Sequence, residues 1–480
     1  MINPSVVIVG GGIAGLSAAW ELTGGANGPS ATTPRVEIIE SSDHLGGTLV
    51  TTQFAGRTID LGPDGFLARR PEAMQLVHEL GIDDQLEPIN ASGASIWLRG
   101  ALDQLPEGLA MGIPTRSKQL AALKGLTWRA RLAARRDEWL PRHLNVDDNA
   151  TIGQIVSAKL GRELSYQFIE PMVGGIQAGR IDDLSAKSVF PPLLDAARRG
   201  GSLMKAMRPP KSASDQTPRS SESAPPLFCS ITGGIGSLAR ELEKQLVERG
   251  VVLRRGVAVT SIRRTPAGIY PWEVDTENTT TPAHALILAT PAPICAQLVG
   301  EFSPALERLA TIPSAGAAMV TFNIARSNLT MPERGTGVLV PLGTPWSGEG
   351  SMMVTAITFL DRKWPRLSRD GEALLRAHVG RIDDERWALM SDDELTTRVT
   401  NELGVLLGRF ESPDASIVQR WPRGLPQYYP GHDQMVGAAK QAGCALGIAL
   451  AGSAYDGVGI PASIGSGRRA AREVLARLSD

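Results

Sequence analysis

Apolar and polar positions follow two periods along the chain, and these periods predict where strands and helices lie. Near the start, the apolar run from Val6 to Val9 is followed by glycines and by a helix-like pattern from about Ile13. This succession of strand, tight turn and helix is typical of the first unit of a parallel sheet. The apolar runs RVEIIE and ALILATPAP predict further buried strands.

A different pattern governs the rest of the chain. Apolar and β-branched residues alternate in TFNIARSNLTMPERGTGVLVPLG and GSMMVTAITFL, which predicts antiparallel strands. DGEALLRAHVG and DDELTTRVTNELGVLLGRF predict a strand and a helix packed nearby, and residues 91–210 are expected to be mainly helical. The Ser- and Pro-rich stretch KSASDQTPRSSESAPP has no periodic apolar residues and predicts a mobile loop.

Composition narrows the class of protein. The 480 residues are 42% hydrophobic and 21% charged with a formal net charge of -1, which is typical of a soluble globular chain with two or three domains. The balanced charge argues against nucleic-acid binding. Cys229, Cys295 and Cys444 form no CxxC, so we expect a reducing cytoplasm and neither a disulfide framework nor a metal site. No signal peptide or membrane-spanning run is predicted.

The first turn carries a dinucleotide-binding pattern. Gly10, Gly12 and Gly15 fill GxGxxG, which provides a tight turn, room for a pyrophosphate and close packing of helix on strand. The phosphates would lie at the N-terminus of the helix, where free N–H groups favour negative charge. Glu40 ends the second strand, where an acidic side chain accepts hydrogen bonds from ribose hydroxyls. A purely structural turn is the alternative interpretation.

Further glycines indicate a flavin dinucleotide. HLGGT, soon after Glu40, offers a second close approach to backbone, and there is no second GxGxxG for a nicotinamide cofactor. Near the C-terminus, GSAYDGVGIPASIGSGRR loses much conformational entropy on folding, so a ligand close to its backbone would offset that cost. It predicts a second cradle before a helix that begins near Ala462 or Ser463. A packing loop is the alternative.

The order of these motifs resembles the flavin amine oxidase superfamily, and more narrowly the porphyrinogen oxidases of haem synthesis. The matching blocks extend over nearly the full chain: GGGIAGL, IIESS, LGGT, DLGPDGFLARRP, MGIPT, IEPMVGGIQAG, GGIGSLARELEKQL, WPRGLPQYYPGH and AGSAYDGVGIP. GPDGFLARRP and MGIPT resemble the bacterial coproporphyrinogen III oxidase branch. Ala94 stands where the mitochondrial protoporphyrinogen oxidases usually carry a substrate-binding Arg.

The resemblance implies an α/β fold with a Rossmann-like FAD-binding domain assembled from discontinuous segments, an α+β substrate-binding domain and a helical insertion. The expected ranges are 1–90, 228–300 and 415–480 for the FAD-binding domain, 91–210 for the helical insertion, 211–226 for the flexible loop and 301–414 for the substrate-binding domain.

The resemblance also implies the residues of the site. Those expected to bind FAD are Gly10, Gly11, Gly12, Ile13, Ala14, Gly15, Glu40, Ser41, Gly47, Thr48, Gly62, Pro63, Asp64, Gly65, Val259, Trp421, Ser453, Val458, Gly459 and Ile460. Those expected to bind substrate are Arg70, Gly174, Gly175, Ile176 and His378. Arg70 would pair with a propionate, and the loop containing Gly174 to Ile176 would lie over the flavin. His378 stands where related bacterial enzymes carry Tyr.

The implied activity is oxidation of coproporphyrinogen III to coproporphyrin III, with molecular oxygen as acceptor and hydrogen peroxide as by-product. FAD is expected to be noncovalent because Cys444 lies upstream of the C-terminal flavin loop, and flavin N5 rather than a side chain accepts the hydride. The alternatives are a protoporphyrinogen IX oxidase, a flavin oxidase acting on amines or carotenoid precursors, and a non-catalytic FAD-binding scaffold.

The expected partners are a porphyrinogen, oxygen and, transiently, ferrochelatase, in the cytoplasm and at most peripheral to the inner face of the membrane. A basic stretch bears on the last point. Eight Lys or Arg lie between Arg116 and Arg142, against Asp137 and Glu138. Such a stretch suits an anionic membrane, an anionic substrate or a solvated helix face.

Overall fold

The computed structural model describes residues 3–91, 93–208, 226–265, 268–346 and 350–479. The predicted loop at 211–226 lies outside these ranges except for Pro226. The chain forms two compact units. The first unit comprises Met1–Pro88, Pro226–Pro313 and His432–Asp480, and the second comprises Ile89–Pro225 and Ser314–Gly431.

Strands and helices are numbered here in chain order. The strands are β1 (Ser5–Val9), β2 (Arg35–Ile39), β3 (Thr51–Phe54), β4 (Arg57–Asp60), β5 (Phe66–Leu67), β6 (Leu86–Pro88), β7 (Ala94–Leu98), β8 (Ala101–Gln104), β9 (Phe228–Ile231), β10 (Val252–Arg254), β11 (Val259–Arg264), β12 (Trp272–Thr276), β13 (Thr280–Ala283), β14 (Ala285–Leu288), β15 (Ser314–Ala325), β16 (Gly337–Leu339), β17 (Val354–Phe359), β18 (Glu372–Val379), β19 (Ala415–Pro426) and β20 (Ile448–Leu450). The helices are α1 (Ile13–Leu22), α2 (Pro71–Glu79), α3 (Ser117–Ala122), α4 (Trp128–Trp139), α5 (Ile152–Leu160), α6 (Arg162–Leu164), α7 (Glu170–Gln177), α8 (Ala186–Val189), α9 (Pro191–Arg199), α10 (Leu203–Ala206), α11 (Gly236–Glu248), α12 (Ala292–Val299), α13 (Pro304–Glu307), α14 (Leu360–Lys363), α15 (Asp392–Leu407), α16 (His432–Leu446), α17 (Ser453–Asp456) and α18 (Ile460–Ser479).

The first unit is built on a parallel sheet with strand order β10-β2-β1-β14-β20. Its strands read as continuous apolar runs because both faces are covered. Val6 and Ile8 of β1 pack into a cluster with α1, α11 and α18, whereas Val7 and Val9 pack into another with α12 and α16. Burial on both faces is the usual state of a parallel sheet. The predicted Rossmann-like α/β fold is confirmed.

The neighbouring parallel strands β1, β14 and β20 end at the same edge of this sheet. The turn after β1 begins at Gly10, and the segment after β20 begins at Ala451, whose N–H donates to the carbonyl oxygen of Leu288 at 2.9 Å. Ligands of open α/β sheets bind beyond the carboxyl ends of the strands. This edge therefore positions the candidate cofactor site.

The second unit contains a mixed sheet with strand order β19-β15-β18-β17-β16-β7-β8, in which only the β16–β7 pair is parallel among the described pairings. Helices α3 to α10 enclose a separate apolar core. The predicted strands in 321–343, 350–360 and 370–380 and the helix in 392–410 are present.

The domain ranges differ from the expected ones in two respects. Residues 415–431 lie in the second unit rather than with the FAD-binding segments, because β19 pairs along its length with β15. The helical part and the α+β part form one unit, since β7 and β8, within the region expected to be helical, extend the sheet through β16. Over the described ranges, no helix is both long and apolar enough to cross a membrane.

Candidate cofactor and substrate sites

The glycines of the first turn differ in what surrounds them. Gly10 has a φ of +105° and its N–H donates to the carbonyl oxygen of Ile39, and a Cβ there would lie 2.6 Å from the carbonyl oxygen of Ala289. A Cβ at Gly15 would lie 2.0 Å from the carbonyl oxygen of Gly10. At Gly12, however, no atom lies within 4 Å of an added Cβ. Gly10 and Gly15 are needed for packing, whereas Gly12 faces open space.

The N-terminus of α1 is suited to an anion. Gly12 is the N-cap residue and supplies no side chain to cap the helix, and the first turn, which includes Ile13 and Ala14, contains no acidic residue. The first N–H groups of a ten-residue helix and its dipole are therefore directed toward the open space beside Gly12. Phosphate oxygens are the ligands that such a terminus favours.

The second glycine segment lies against the first. The N–H of Gly46 donates to the carbonyl oxygen of Gly11 at 2.8 Å, and Gly46 forms a β-bridge with Gly12. A Cβ at Gly47, whose φ is +62°, would lie 3.2 Å from the Cα of Gly12. A Cβ at Gly62 would lie 2.0 Å from the carbonyl oxygen of Thr48, which places the following Pro63, Asp64 and Gly65 beside the same segment. The structure thus brings together motifs that the sequence separates.

The Glu40 carboxylate is held directly after β2. One oxygen accepts the N–H of Gly11 at 2.6 Å, and the other accepts the N–H and hydroxyl of Ser42 at 2.8 and 2.7 Å. The Ser41 hydroxyl approaches the same oxygen at 3.3 Å. The carboxylate is half-buried and oriented before any ligand binds.

The segment that leads into β11, the strand carrying Val259, is hydrogen-bonded to the residues around Glu40. Val257 donates its N–H to the carbonyl oxygen of Glu40 at 2.9 Å, and Gly256 donates to that of Ser42 at 2.7 Å. Val259 is half-buried and packs on the apolar cluster beneath the sheet. An apolar side chain near the Glu40 carboxylate is an environment that suits an adenine ring.

The C-terminal glycine segment is a second open stretch of backbone. Gly452, Gly457 and Gly459 have φ values of +125°, +117° and +107°, and a Cβ at Gly452 or Gly459 would have no atom within 4 Å. Ser453 begins α17, and Val458 is half-buried. The following helix begins at Ile460, earlier than the predicted start near Ala462 or Ser463, because the carbonyl oxygen of Gly459 already accepts the N–H of Ser463.

Two ends of the described chain meet through α1 and α18. A Cβ at Gly467 would lie 2.0 Å from the carbonyl oxygen of Ala14, so the helices cross with backbone against backbone. The Arg468 guanidinium binds both oxygens of Glu79 at 2.6 and 2.8 Å, and the indole of Trp20 donates to the same carboxylate. The two glycine-rich cradles are therefore held in one unit.

An ionic cluster fixes the C-terminal cradle. Asp456 accepts hydrogen bonds from Lys440 at 2.5 Å, from Arg469 at 2.8 Å and from the hydroxyl of Ser466, which also accepts the N–H of Gly452. Burial alone would raise the pKa of the Asp456 carboxyl, but the two cations and the hydroxyl outweigh burial and hold that pKa below its usual value. The sequence analysis missed this cluster, although all its members lie within or close to the C-terminal motif.

His432 is a second residue that the sequence analysis missed. It begins α16 and is buried, and burial lowers the pKa of its ring to about 4 against the opposing effect of the Ala454 backbone. The imidazole is therefore neutral near pH 7 and lies close to the segment that carries Ser453.

Arg70 is the candidate substrate residue of the first unit. It is the N-cap residue of α2, its side chain is half exposed, and its guanidinium lies 3.4 Å from the Glu72 carboxylate. An exposed pair of this kind contributes little stability, so it can be exchanged for a ligand carboxylate at small cost.

The segment expected to be a loop over the flavin is helical. Gly174, Gly175 and Ile176 lie in the last turn of α7, which ends because Ala178 adopts a left-handed φ of +51°. A Cβ at Gly174 would lie 2.9 Å from Nη1 of Arg381. Ile176 is 47% exposed.

Beneath this turn lies a buried ionic cluster that the sequence analysis did not identify. The Glu170 carboxylate accepts the N–H of Ile181 at 2.9 Å and Nε of Arg180 at 3.2 Å, and Nη1 of Arg381 lies 3.8 Å from it. Burial raises the pKa of Glu170 and lowers that of Arg381. The cluster fixes the two ends of the turn that carries Gly174 to Ile176, because Glu170 begins the helix and Ile181 follows it.

The remaining candidates lie on the mixed sheet of the second unit. His378 of β18 is half-buried, with Nε2 3.2 Å from the Thr358 hydroxyl. Trp421 of β19 is half-buried and pairs with Ala317. Trp421 was expected with the FAD-binding residues, but it belongs to the second unit, and its contact with the cofactor stays a prediction.

The residues of the first unit fit an FAD. Open backbone at Gly12, Gly452 and Gly459 would admit the dinucleotide, the uncapped helix N-terminus would bind its pyrophosphate, and the oriented Glu40 carboxylate would accept its ribose hydroxyls.

Comparisons with known proteins support a flavin cofactor. The family model of flavin containing amine oxidoreductases matches residues 13–475. The chain is 32% identical to the coproporphyrinogen III oxidase of Bacillus subtilis (strain 168), covering 98% of each chain, and 33% identical to that of Propionibacterium freudenreichii, covering 98% of this chain and 90% of the relative. It is 29% identical to the protoporphyrinogen oxidase of Bos taurus over 98% of each.

Solved structures of similar chains have the same fold. A putative protoporphyrinogen oxidase from Exiguobacterium superposes with a TM-score of 0.86 at 29% identity, covering 99% of this chain and 100% of the other. The cyclohexylamine oxidase of Brevibacterium oxydans, at 15% identity and a TM-score of 0.67 over the full length of both, shares the fold.

Proposed function

Since the chain belongs to the family of flavin-containing amine oxidoreductases, we propose that it oxidises coproporphyrinogen III to coproporphyrin III in haem biosynthesis, using FAD and molecular oxygen. The observation that carries this proposal is the similarity to coproporphyrinogen III oxidases over nearly the whole chain. Protoporphyrinogen IX oxidation is the second candidate, and the similarity to the Bos taurus enzyme favours it.

The first unit would bind and orient the cofactor. When bound, FAD accepts a hydride from the reduced substrate and passes the electrons to molecular oxygen, which is released as hydrogen peroxide. Glu40 would accept the ribose hydroxyls, and Gly11, Gly12, Ile13 and the neighbouring Gly47 and Thr48 would surround the pyrophosphate. Val259 would pack on the adenine, and the open backbone from Val458 to Ile460 would lie beside the flavin ring. The N-terminus of α18 would stabilise negative charge on that ring.

The same geometry supports noncovalent FAD. Cys229 and Cys295 are buried, and burial raises the pKa of both thiols, that of Cys295 to about 12, so neither is a reactive thiolate. Cys444 is exposed near the end of α16, before the C-terminal cradle begins. Acid precipitation of the purified protein should leave a white pellet and a yellow supernatant. A yellow pellet would contradict noncovalent binding.

Substrate binding would use carboxylate anchors and backbone groups. Coproporphyrinogen III carries four propionates, and the half-exposed Arg70 offers a guanidinium that binds a carboxylate bidentately. The last turn of α7 offers the backbone carbonyl of Gly175 for a pyrrole N–H, since that of Gly174 already accepts the N–H of Ala178, and Ile176 offers an exposed apolar contact. His378 would contact the macrocycle from β18.

The proposal is tested by comparing two substrates. Anaerobic mixing of the yellow holoenzyme with reduced coproporphyrinogen III should bleach the flavin, and aerobic turnover should exceed that on protoporphyrinogen IX. A preference for protoporphyrinogen IX would favour the second candidate. A flavin spectrum unchanged by either porphyrinogen would contradict both and favour a non-catalytic scaffold.

The acceptor and the partner are tested separately. Oxygen consumption that matches hydrogen peroxide formation would support oxygen as acceptor, and turnover only with an added quinone would contradict it. Transient contact with ferrochelatase, expected from the sequence, stays a prediction. The cytoplasmic location also stays a prediction.

A further inference from the structure

The C-terminal end of α7 leaves two backbone carbonyls open. The carbonyl oxygen of Gly174 accepts the N–H of Ala178 at 2.8 Å, and that of Gln177 accepts a side-chain amide at 2.7 Å. Among the described residues, no donor hydrogen-bonds to the carbonyl oxygens of Gly175 and Ile176, and both residues are exposed. These two acceptors are therefore the part of the turn that is available to a donor on a ligand.

A buried arginine of the second unit lies against this turn. The side chain of Arg381, which follows β18, is 3% exposed, and its Nη1 would lie 2.9 Å from a Cβ at Gly174. The next residue, Ile382, donates its N–H to the carbonyl oxygen of Ala178 at 2.8 Å. The segment after β18 thus contacts the turn with both a side chain and its backbone, and the absence of a side chain at Gly174 leaves room for the guanidinium.

A second segment holds the same turn by neutral hydrogen bonds. Gln427, which follows β19, is 1% exposed and donates its amide to the carbonyl oxygens of Gln177 at 2.7 Å and Leu425 at 3.0 Å. A Cβ at Gly179 would lie 2.1 Å from Oε1 of Gln427. The backbone around the turn is therefore in close contact with Gln427 as well as with Arg381.

The contacts of Arg381 do not explain its burial as a source of stability. Its guanidinium lies 3.8 Å from the Glu170 carboxylate, and Nη1 has no hydrogen-bond partner within the part of the chain that the structure describes. Removing a charged group from water is costly, and an ion pair with so long a contact offsets little of that cost. Glu170 is in any case bonded to Arg180 and to the N–H of Ile181. A buried donor without a partner calls for another explanation.

We propose that Arg381 is a positioning residue: its guanidinium fills the space beside Gly174 and fixes the direction of the open carbonyls of Gly175 and Ile176. The inference rests on the proposed function, because a porphyrinogen supplies the pyrrole N–H groups that these carbonyls accept. A pyrrole held at a fixed carbonyl orients the macrocycle, and a displacement of about 1 Å can slow a reaction roughly a hundredfold. Arg381 acts through the backbone of the turn and does not contact the substrate.

Substitution of Arg381 in the holoenzyme tests the proposal. Arg381→Met should slow anaerobic bleaching of the flavin by saturating coproporphyrinogen III roughly tenfold or more. Reoxidation of dithionite-reduced flavin by oxygen should keep its rate, because it needs no substrate. Arg381→Lys, which keeps the charge without the planar guanidinium, should lose less. Gly174→Ala should cause a similar loss by displacing the guanidinium, and the double variant should be little slower than either single variant.

Arg326→Met is the matched control, since it also removes an arginine from a buried carboxylate of the second unit, that of Asp361. Arg326 follows β15, whose last residue Ala325 pairs with Glu372 at the start of β18, whereas Arg381 follows the end of β18. The two arginines thus lie at opposite ends of this strand pair. Arg326→Met should lower the midpoint of thermal unfolding and leave the bleaching rate unchanged.

Amide hydrogen exchange distinguishes this proposal from the proposed function, because it needs no substrate. The N–H of Ala178 should exchange roughly tenfold faster or more in Arg381→Met than in wild type, with exchange in β15 unchanged. If no porphyrinogen bleaches the wild-type flavin but Ala178 behaves in this way, the proposed function fails and the role of Arg381 in holding the turn stands.

Three results would overturn the proposal. The first is unchanged exchange at Ala178 in Arg381→Met. The second is folded Arg381→Met protein with full FAD content whose flavin is bleached at the wild-type rate. The third is an equal loss of bleaching rate in Arg381→Met and Arg326→Met, which would make Arg381 a residue of general structural importance only.

Discussion

An added methyl group would meet open space at Gly12, but at Gly15 it would lie 2.0 Å from a backbone oxygen. We therefore expect Gly15→Ala to destabilise the fold by at least about 2 kcal/mol, because backbone must move. Gly12→Ala should change the free energy of unfolding of the apoprotein by less than about 1 kcal/mol. It should nevertheless weaken FAD binding roughly tenfold or more, since the methyl group would fill the space proposed for the pyrophosphate. Denaturant titration of the apoprotein and flavin fluorescence titration measure the two effects.

A second prediction concerns the negative charge of Glu40, which lies beside the same turn. Glu40→Ala should release FAD, because the carboxylate both orients Gly11 and Ser42 and would accept the ribose hydroxyls. Hydrogen bonds to a charged group contribute about 1.5–3 kcal/mol, so the Kd for FAD should rise roughly ten- to a hundredfold. Glu37→Gln is the matched control. Glu37 lies in β2, the strand that leads to Glu40, and the substitution removes its ion pair with Arg254, so the affinity for FAD should stay unchanged. Full flavin occupancy in the Glu40 variant would refute the ribose role.

His432 predicts how stability depends on pH. Its pKa is about 4 in the folded protein and about 6.5 in the unfolded chain, so only the unfolded state binds a proton between these values. This residue's contribution is fully present above pH 6.5 and is lost as the pH falls toward 4, by about 2–3 kcal/mol. Chemical unfolding of wild type and His432→Gln across this range measures the effect, and the variant should show a shallower slope. Identical slopes for wild type and His432→Gln would contradict the assignment.

At the scale of elements, the crossing of α1 and α18 depends on one glycine. Gly467→Ala should destabilise the protein by about 1–3 kcal/mol, because its Cβ would lie 2.0 Å from the carbonyl oxygen of Ala14. Gly404→Ala in α15 has no atom within 4 Å of the new Cβ and should stabilise by about 0.5–1 kcal/mol. The midpoint of thermal unfolding should therefore fall in Gly467→Ala and rise in Gly404→Ala. Equal effects would mean that the crossing tolerates a side chain.

Local elements were predictable where the signal was local. The strand before Gly10, the helix from Ile13 and the strand ending at Glu40 follow from an apolar run, a glycine motif and a polar stop, all within a few residues. The helical turn at Gly174 and Gly175 was not predicted, because two adjacent glycines favour a loop unless tertiary contacts decide otherwise. Here the buried Glu170 and Arg381 supply those contacts, and Arg381 lies about two hundred residues away in the sequence.

At the scale of the whole molecule, the discontinuous first unit was predictable because each of its segments carries glycines or a carboxylate to which the sequence assigns a role in FAD binding. The position of β19 was not, because its partner β15 lies far away in the sequence and no residue of WPRGLPQYYPGH indicates that pairing. Arg70, Gly174 and His378 stay candidates for substrate binding. Sequence patterns do not predict a substrate site, because its shape and charge depend on several segments of the chain at once.

FAD should stabilise the first unit by mass action. At a free concentration of one hundred times Kd, the ligand should add about 2.7 kcal/mol to the free energy of unfolding. Amide hydrogen exchange in β1, β14 and β20 should slow accordingly, because these strands end at the proposed binding edge. FMN, which lacks the adenosine that Glu40 would bind, should have a smaller effect at equal concentration. Equal protection by both ligands would contradict the proposed binding mode.

The segment 432–480 supplies the strand β20, the helix α18 and the open backbone at Gly452 and Gly459. A ribosome translates this segment after every other part of the described chain, so a nascent polypeptide would lack the C-terminal half of the proposed FAD site until translation has passed residue 469. The yellow colour of bound FAD should therefore be acquired only after that segment has been synthesised. Products truncated before it should be made and remain colourless, so yellow absorbance reports on intact C-terminal segments in a preparation.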